Sequence, residues 1–106
     1  MGRECRYCVD YAIGFIKELK EAEKKAIEGK ISESNTLIES AQEMLGELVK
    51  AECLTKAAAA PSTDNLLDAR AEENPKAKAA IIWGTVGGIH YDLATDVANF
   101  CQKRKE

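Results

Sequence analysis

Hydrophobic residues recur at helical spacing from the start of the chain. The first seam advances by three or four residues, which places its members on one face of an α-helix. It consists of Cys5, Cys8, Ala12, Phe15, Leu19, Ala22 and Ala26. Gly29 follows, and glycine is typical of helix C-termini, so we expect the first helix to end there. Ser32 or Ser34 is then expected to cap a second helix.

The second helix is predicted from a second seam of the same spacing. Its members are Leu37, Ile38, Ala41, Met44, Leu45, Leu48 and Val49. The alanines at 57–60 are strong helix formers, and we expect them to prolong this helix up to the residue before Pro61.

The last helix is predicted from Asn74–Pro75, a capping residue followed by the residue favoured at the first helical position. Its apolar face consists of Ile82, Val86, Ile89, Leu93, Val97 and Phe100. Residues 61–73 are expected to form a short helix or a loop. The predicted fold is all-α, an antiparallel bundle of three long helices with a short helix or loop between the second and third. It forms one domain, residues 1–106.

The turn at Gly29 sets the register of the first two helices. Residues whose numbers sum to about 61 lie at the same height in an antiparallel pair, and Cys8 and Cys53 meet this condition. The height of Cys101 depends on the direction of the last helix. Cys101 joins the other cysteines if the connection leads back along the bundle, and lies near Gly29 if it does not. We favour the second, up-down-up arrangement.

Composition narrows the classes of partner. The 106-residue chain has a net charge of -3, with 31% charged residues and only 6% aromatic residues. This balance excludes an extended basic surface, so nucleic acid is not an expected partner. The sequence has no apolar run near the ~20 residues of a membrane span and no apolar segment at its start like that of a secretory signal. We therefore expect a cytoplasmic protein without a membrane partner.

The four cysteines are the clearest candidates for chemistry. Cys5 and Cys8 have the two-residue spacing found in zinc, iron–sulfur and dithiol redox sites, and Cys53 and Cys101 would complete a set of four ligands. Buried free cysteines that fill the helix seams are more common than such sites. Disulfide pairing is the third interpretation, which reducing cytoplasmic conditions disfavour. Apart from zinc or iron–sulfur, no cofactor is expected.

His90, Trp83 and Glu52 are further candidate functional residues. His90 is the only histidine and shares a helical stripe with Trp83. A histidine that acts as a base or a phosphoryl acceptor needs a carboxylate or a carbonyl to hold one ring nitrogen, and Glu52 or Asp10 could provide a carboxylate. A packed, hydrogen-bonded histidine is the more common case. For Glu52, a solvated ion pair with Lys56 is the more common case.

Gly84, Gly87 and Gly88 form a glycine-rich stretch beside Trp83. A phosphate-binding loop of this composition follows a strand in a parallel sheet, and no strand is predicted here. Within a helix, these glycines form a groove in which another backbone can approach closely. A kink or a functional loop is the alternative.

These observations favour a non-catalytic interaction or oligomerisation protein. Its apolar seams carry few bulky side chains, so we expect a second copy to complete the apolar surface in a homodimer or higher oligomer. A cysteine-based metal-binding or thiol redox protein is the alternative. An enzyme or phosphoryl carrier that uses His90 is a third hypothesis.

Overall fold

The computed structural model describes residues 5–88, with side chains from Tyr7 onward apart from that of Ala58. Within this range the protein is all-helical, with four helices and no strand. They are α1 (Cys5–Ile27), α2 (Ile31–Lys50), α3 (Lys56–Ala71) and α4, which is helical from residue 75 to the end of the described range. None of the described helices combines the length and apolar character needed to cross a bilayer.

The turn between α1 and α2 lies at the predicted glycine. Gly29 has a φ of 80°, a left-handed conformation that glycine adopts without steric cost. The predicted serine caps are wrong, because α2 begins directly after Lys30, which makes no side-chain capping bond. Ser34 instead packs between the two helices, where its hydroxyl donates a 2.8 Å hydrogen bond to the carbonyl of Ala22. This bond helps to fix the register of the hairpin.

The second helix is shorter than predicted. It ends at Lys50, and the alanines at 57–60 belong to α3, so the prediction that they prolong α2 is wrong. The chain turns between the two helices because Cys53 and Leu54 are buried there, 1% and 2% exposed. The alanines are still helical, but in α3, after the turn that buries these two side chains.

The third helix replaces the predicted short helix or loop. It spans 16 residues, includes Pro61 and packs against α2 through small side chains and one leucine. Its buried residues are Ala59, Ser62, Leu66 and Ala69. This helix leads the chain from the Cys53 end of the α1–α2 hairpin back to the Gly29 end.

The fourth helix starts at the predicted position. The Asn74 side-chain oxygen accepts a 3.0 Å hydrogen bond from the Ala77 amide, as expected of an N-cap residue. Lys78 contacts Asn35 near the start of α2, which places the start of α4 at the Gly29 end. The favoured up-down-up arrangement is therefore wrong, since it required the last helix to start at the Cys53 end. Cys101 lies outside the described residues.

The described helices enclose one apolar core. The predicted seams of α1 and α2 form most of it, and Ile82 with Val86 joins it from α4. Alanine and cysteine occupy many core positions, so the large buried side chains are few. They are Phe15, Leu19, Ile38, Leu45, Leu48, Leu54, Leu66 and Ile82.

Candidate functional site

A disulfide joins the two ends of the α1–α2 hairpin. The sulfurs of Cys8 and Cys53 are 2.06 Å apart, and their Cα atoms are 5.5 Å apart. Both residues are buried, with exposures of 0% and 1%. The bond links positions 45 residues apart and closes the hairpin at the end opposite Gly29.

The disulfide confirms the predicted register, in which Cys8 and Cys53 share a height. It also shows that the free-thiol interpretation is wrong for these two residues. Their sulfurs cannot ligate a metal while they are bonded to each other, since a thiolate is the ligand. The side chain of Cys5 and all of Cys101 lie outside the described residues, and the predicted four-cysteine site remains a prediction.

Cys53 is positioned by the motif that ends α2. The amide of Glu52 bonds to the carbonyl of Val49 at 3.0 Å, and the amide of Cys53 bonds to the carbonyl of Leu48 at 2.9 Å. This pair of bonds defines a Schellman motif, in which the residue at the Glu52 position is left-handed. Glu52 has a φ of 63° and an exposed side chain, so it shapes the backbone that carries Cys53.

Two tyrosines on α1, Tyr7 and Tyr11, lie within one helical turn of Cys8. The rings of Tyr7 and Tyr11 are tilted by 33° with centroids 5.5 Å apart. Burial raises the pKa of the Tyr11 hydroxyl, with further contributions from Tyr7, Glu47 and Glu43. A raised pKa keeps Tyr11 protonated, so it is not an activated base. Among the described residues, no three His, Cys, Asp or Glu side chains converge as a metal site would require.

Lys78 is a buried polar centre that the sequence analysis missed. Its ammonium donates to the Asn35 side chain at 2.6 Å and to the carbonyl of Ala69 at 2.5 Å, with a longer contact to the carbonyl of Arg70. Burial lowers the pKa of Lys78, and the charge of Glu72 partly opposes this effect. Its burial could have been predicted from its spacing, because Lys78 precedes Ile82 by four residues and so lies on the apolar face of α4.

The outer face of α4 contains the other predicted site residues that the structure describes. Trp83 is 69% exposed, and Gly84, Gly87 and Gly88 are helical and exposed. A Cβ atom added at any of these glycines would meet nothing within 4 Å. The glycines therefore form a flat, open surface beside a large aromatic ring. His90 lies outside the described residues.

Fold and geometry define an all-helical protein with a buried disulfide at one end and an open tryptophan–glycine face on its last described helix. The sequence matches no protein-family model, and neither a curated protein nor a solved structure is significantly similar to it. Any functional conclusion therefore depends on the chain itself.

Proposed function

We propose that this protein is a non-catalytic helical-bundle module that forms a homodimer, and that it pairs through the outer face of α4. The observation that carries the proposal is the exposure of Trp83 at 69% beside three open glycines. We call the surface formed by Trp83, Gly84, Gly87 and Gly88 the Trp–Gly face.

The composition of the Trp–Gly face supports an interface. Residues 79–88 contain no charged side chain, although 31% of the whole chain is charged. The centres of protein interfaces are depleted of charge and enriched in tryptophan, which is a frequent hot-spot residue.

The spacing of this face suits a second copy. Trp83 and Gly87 are four residues apart and so lie on the same side of α4. In a two-fold symmetric dimer, if Trp83 of one copy contacts Gly87 of the other, the reverse contact also forms. An antiparallel pair of α4 helices would therefore place each Trp83 ring on Gly87 of the other copy. The missing Cβ at Gly87 leaves space for the ring.

Sedimentation velocity over a concentration series tests this proposal. We expect wild-type protein to dimerise in the micromolar range and Trp83→Glu to remain monomeric. Leu67→Glu is the matched control, because Leu67 is 52% exposed but lies on α3, and it should dimerise normally. A strict monomer at several hundred micromolar wild-type protein would refute the proposal.

Fluorescence adds an independent measurement. Trp83 is the only tryptophan of the chain, so its emission reports directly on this face. Burial in a dimer should shift the emission to shorter wavelength with the same concentration dependence as sedimentation. Dimerisation without this shift would place the interface elsewhere.

A thiol redox or metal-binding protein is the second candidate. Its support is the juxtaposition of Cys8 and Cys53 from distant parts of the sequence. Against a catalytic dithiol, which must react with a substrate in the folded state, both residues are buried, whereas catalytic cysteines are partly exposed. Metal analysis and a free-thiol count on protein purified anaerobically separate the two candidates. Stoichiometric zinc or iron would favour the second.

The disulfide also bears on localisation. Disulfides persist in oxidising compartments and are rare in cytoplasm, apart from that of hyperthermophiles. We therefore propose a cytoplasmic location only if the protein comes from a hyperthermophile. Trapping the thiols with an alkylating reagent at cell lysis, before any oxidation in air, tests whether the Cys8–Cys53 bond exists in the cell.

A further inference from the structure

The first turns of α1 bury little apolar surface. In residues 7–14 the only buried side chains are Cys8 and Ala12, both of them small. Val9 and Ile13 are 43% and 49% exposed. Tyr7 and Tyr11 are half-buried and pack only partly on the core. The disulfide is the covalent link between this segment and the end of α2.

The remainder of α1 is anchored differently. Phe15 and Leu19 are fully buried large side chains, and burial of such side chains stabilises the packed helix. The Ser34–Ala22 hydrogen bond and an ion pair of 3.4 Å between Lys25 and Glu33 add further links to α2. Strong packing thus begins at Phe15, directly after the weakly packed turns.

We propose that the Cys8–Cys53 disulfide is a redox-sensitive switch that holds residues 7–14 of α1 against the end of α2. Its reduction releases these turns while α1 from Phe15 onward stays packed. Local unfolding of this kind is expected where buried apolar contacts are few. The switch involves no residue of the Trp–Gly face and does not depend on the proposed function.

Release of these turns uncovers apolar surface at the Cys53 end of the hairpin. Leu48 and Leu54 are buried there, 0% and 2% exposed. In the register set by the disulfide, Leu48 lies near the height of Ala12, and Leu54 lies near that of Cys8. We therefore expect reduction to increase the exposure of Leu48 and Leu54.

The reductant in the proposed step is a dithiol. A thiolate of the dithiol attacks one sulfur of the protein disulfide and forms a mixed disulfide, and the other protein sulfur leaves as a thiolate. The second dithiol sulfur then closes a cyclic disulfide and releases the remaining cysteine. Two electrons pass to the protein, the dithiol is oxidised, and the thiolates of Cys8 and Cys53 take up protons. Because both sulfurs are buried, attack follows a local opening of these turns.

Hydrogen exchange of wild-type protein with and without dithiothreitol tests the switch. We expect reduction to speed the exchange of the amides of residues 9–14 at least tenfold more than that of residues 19–27, which open only when the whole hairpin unfolds. Unchanged exchange at 9–14 would overturn the proposal. So would equal acceleration throughout α1 and α2, because the bond would then support the whole fold.

Two variants assign the effect to the correct cysteines. Cys8→Ala/Cys53→Ala should show the fast exchange at 9–14 without reductant and should not respond further to dithiothreitol. Cys5→Ala/Cys101→Ala is the matched control and should keep the wild-type response. Loss of the response in this control would assign the switch to Cys5 or Cys101 and overturn the proposal. If either variant fails to fold, alkylation of the wild-type thiols that dithiothreitol releases, located by peptide mass spectrometry, assigns the reduced bond, and release of Cys5 and Cys101 without Cys8 and Cys53 would overturn the proposal.

Discussion

Gly29 and Glu52 occupy the same left-handed position in two copies of one helix-ending motif. Gly29 ends α1 with a φ of 80°, and Glu52 ends α2 with a φ of 63°. The amide of Gly29 bonds to the carbonyl of Ala26 at 3.0 Å, and the next amide, of Lys30, bonds to the carbonyl of Lys25 at 2.9 Å. Glu52 and Cys53 repeat this pattern at the end of α2. Only the second copy carries the steric cost of a Cβ atom.

Exchange of residue types at these two positions should therefore change stability in opposite directions. A left-handed residue other than glycine costs roughly 1–2 kcal/mol, which the greater unfolded-state freedom of glycine partly offsets. We expect Glu52→Gly to raise the free energy of unfolding by about 0.5–1 kcal/mol, and Gly29→Ala to lower it by about 1 kcal/mol. Urea denaturation measures both. A loss of stability in Glu52→Gly would show that the Glu52 carboxylate makes a stabilising interaction.

Removal of the Cys8–Cys53 bond should cost much of the stability of this small protein. The bond closes a loop of 45 residues, for which chain entropy gives about 4 kcal/mol. We expect Cys8→Ala/Cys53→Ala to lose up to that amount, measured by urea denaturation without reductant. A loss under about 1 kcal/mol would show that packing alone holds the hairpin closed.

Lys78 should stabilise the junction of α2, α3 and α4. Lys78→Met would remove the donor to the Ala69 carbonyl and the Asn35 side chain and leave both acceptors without this partner. An unsatisfied buried polar group costs about 1–3 kcal/mol, so we expect a loss of that size in the free energy of unfolding. Lys76→Met is the control, because Lys76 is exposed on the same helix. Equal effects of the two substitutions would contradict this assignment.

The sequence predicted those parts of the fold that depend on local periodicity. Seams of apolar side chains at helical spacing located α1 and α2, and Gly29 and Asn74 marked a helix end and a helix start. The Gly29 turn and antiparallel pairing were then sufficient to place Cys8 opposite Cys53. These features are encoded within a few turns of helix, where residue spacing alone determines which face is buried.

The course of α3 was not predictable in the same way. Its buried residues are Ala59, Ser62, Leu66 and Ala69. Only one of them is large and apolar, so the sequence of α3 has little of the hydrophobic periodicity that predicts a packed helix. Pro61 reads as a helix boundary, although here it lies inside the helix. Burial of Cys53 and Leu54 decides where α2 stops, and that burial depends on contacts between distant segments. An error at this one connection reversed the predicted direction of the last helix.

Lys78 and Tyr11 should change stability with opposite signs at alkaline pH. The folded state lowers the pKa of Lys78 from 10.5, so between the lowered value and 10.5 the unfolded chain binds more protons and stability rises with pH. The folded state raises the pKa of Tyr11 from 10.0, so above that value the unfolded chain loses its proton first and stability falls.

Variants at these two positions separate the contributions. Urea denaturation at intervals between about pH 8 and 11, a range that covers both groups, should show the free energy of unfolding rise and then fall. Lys78→Met should remove the rise, because methionine has no proton to lose. Tyr11→Phe should weaken the fall, since phenylalanine has no proton to lose. A rise that survives in Lys78→Met would assign it to another group, and the burial of a charged ammonium beside Ala69 would then not explain the alkaline behaviour.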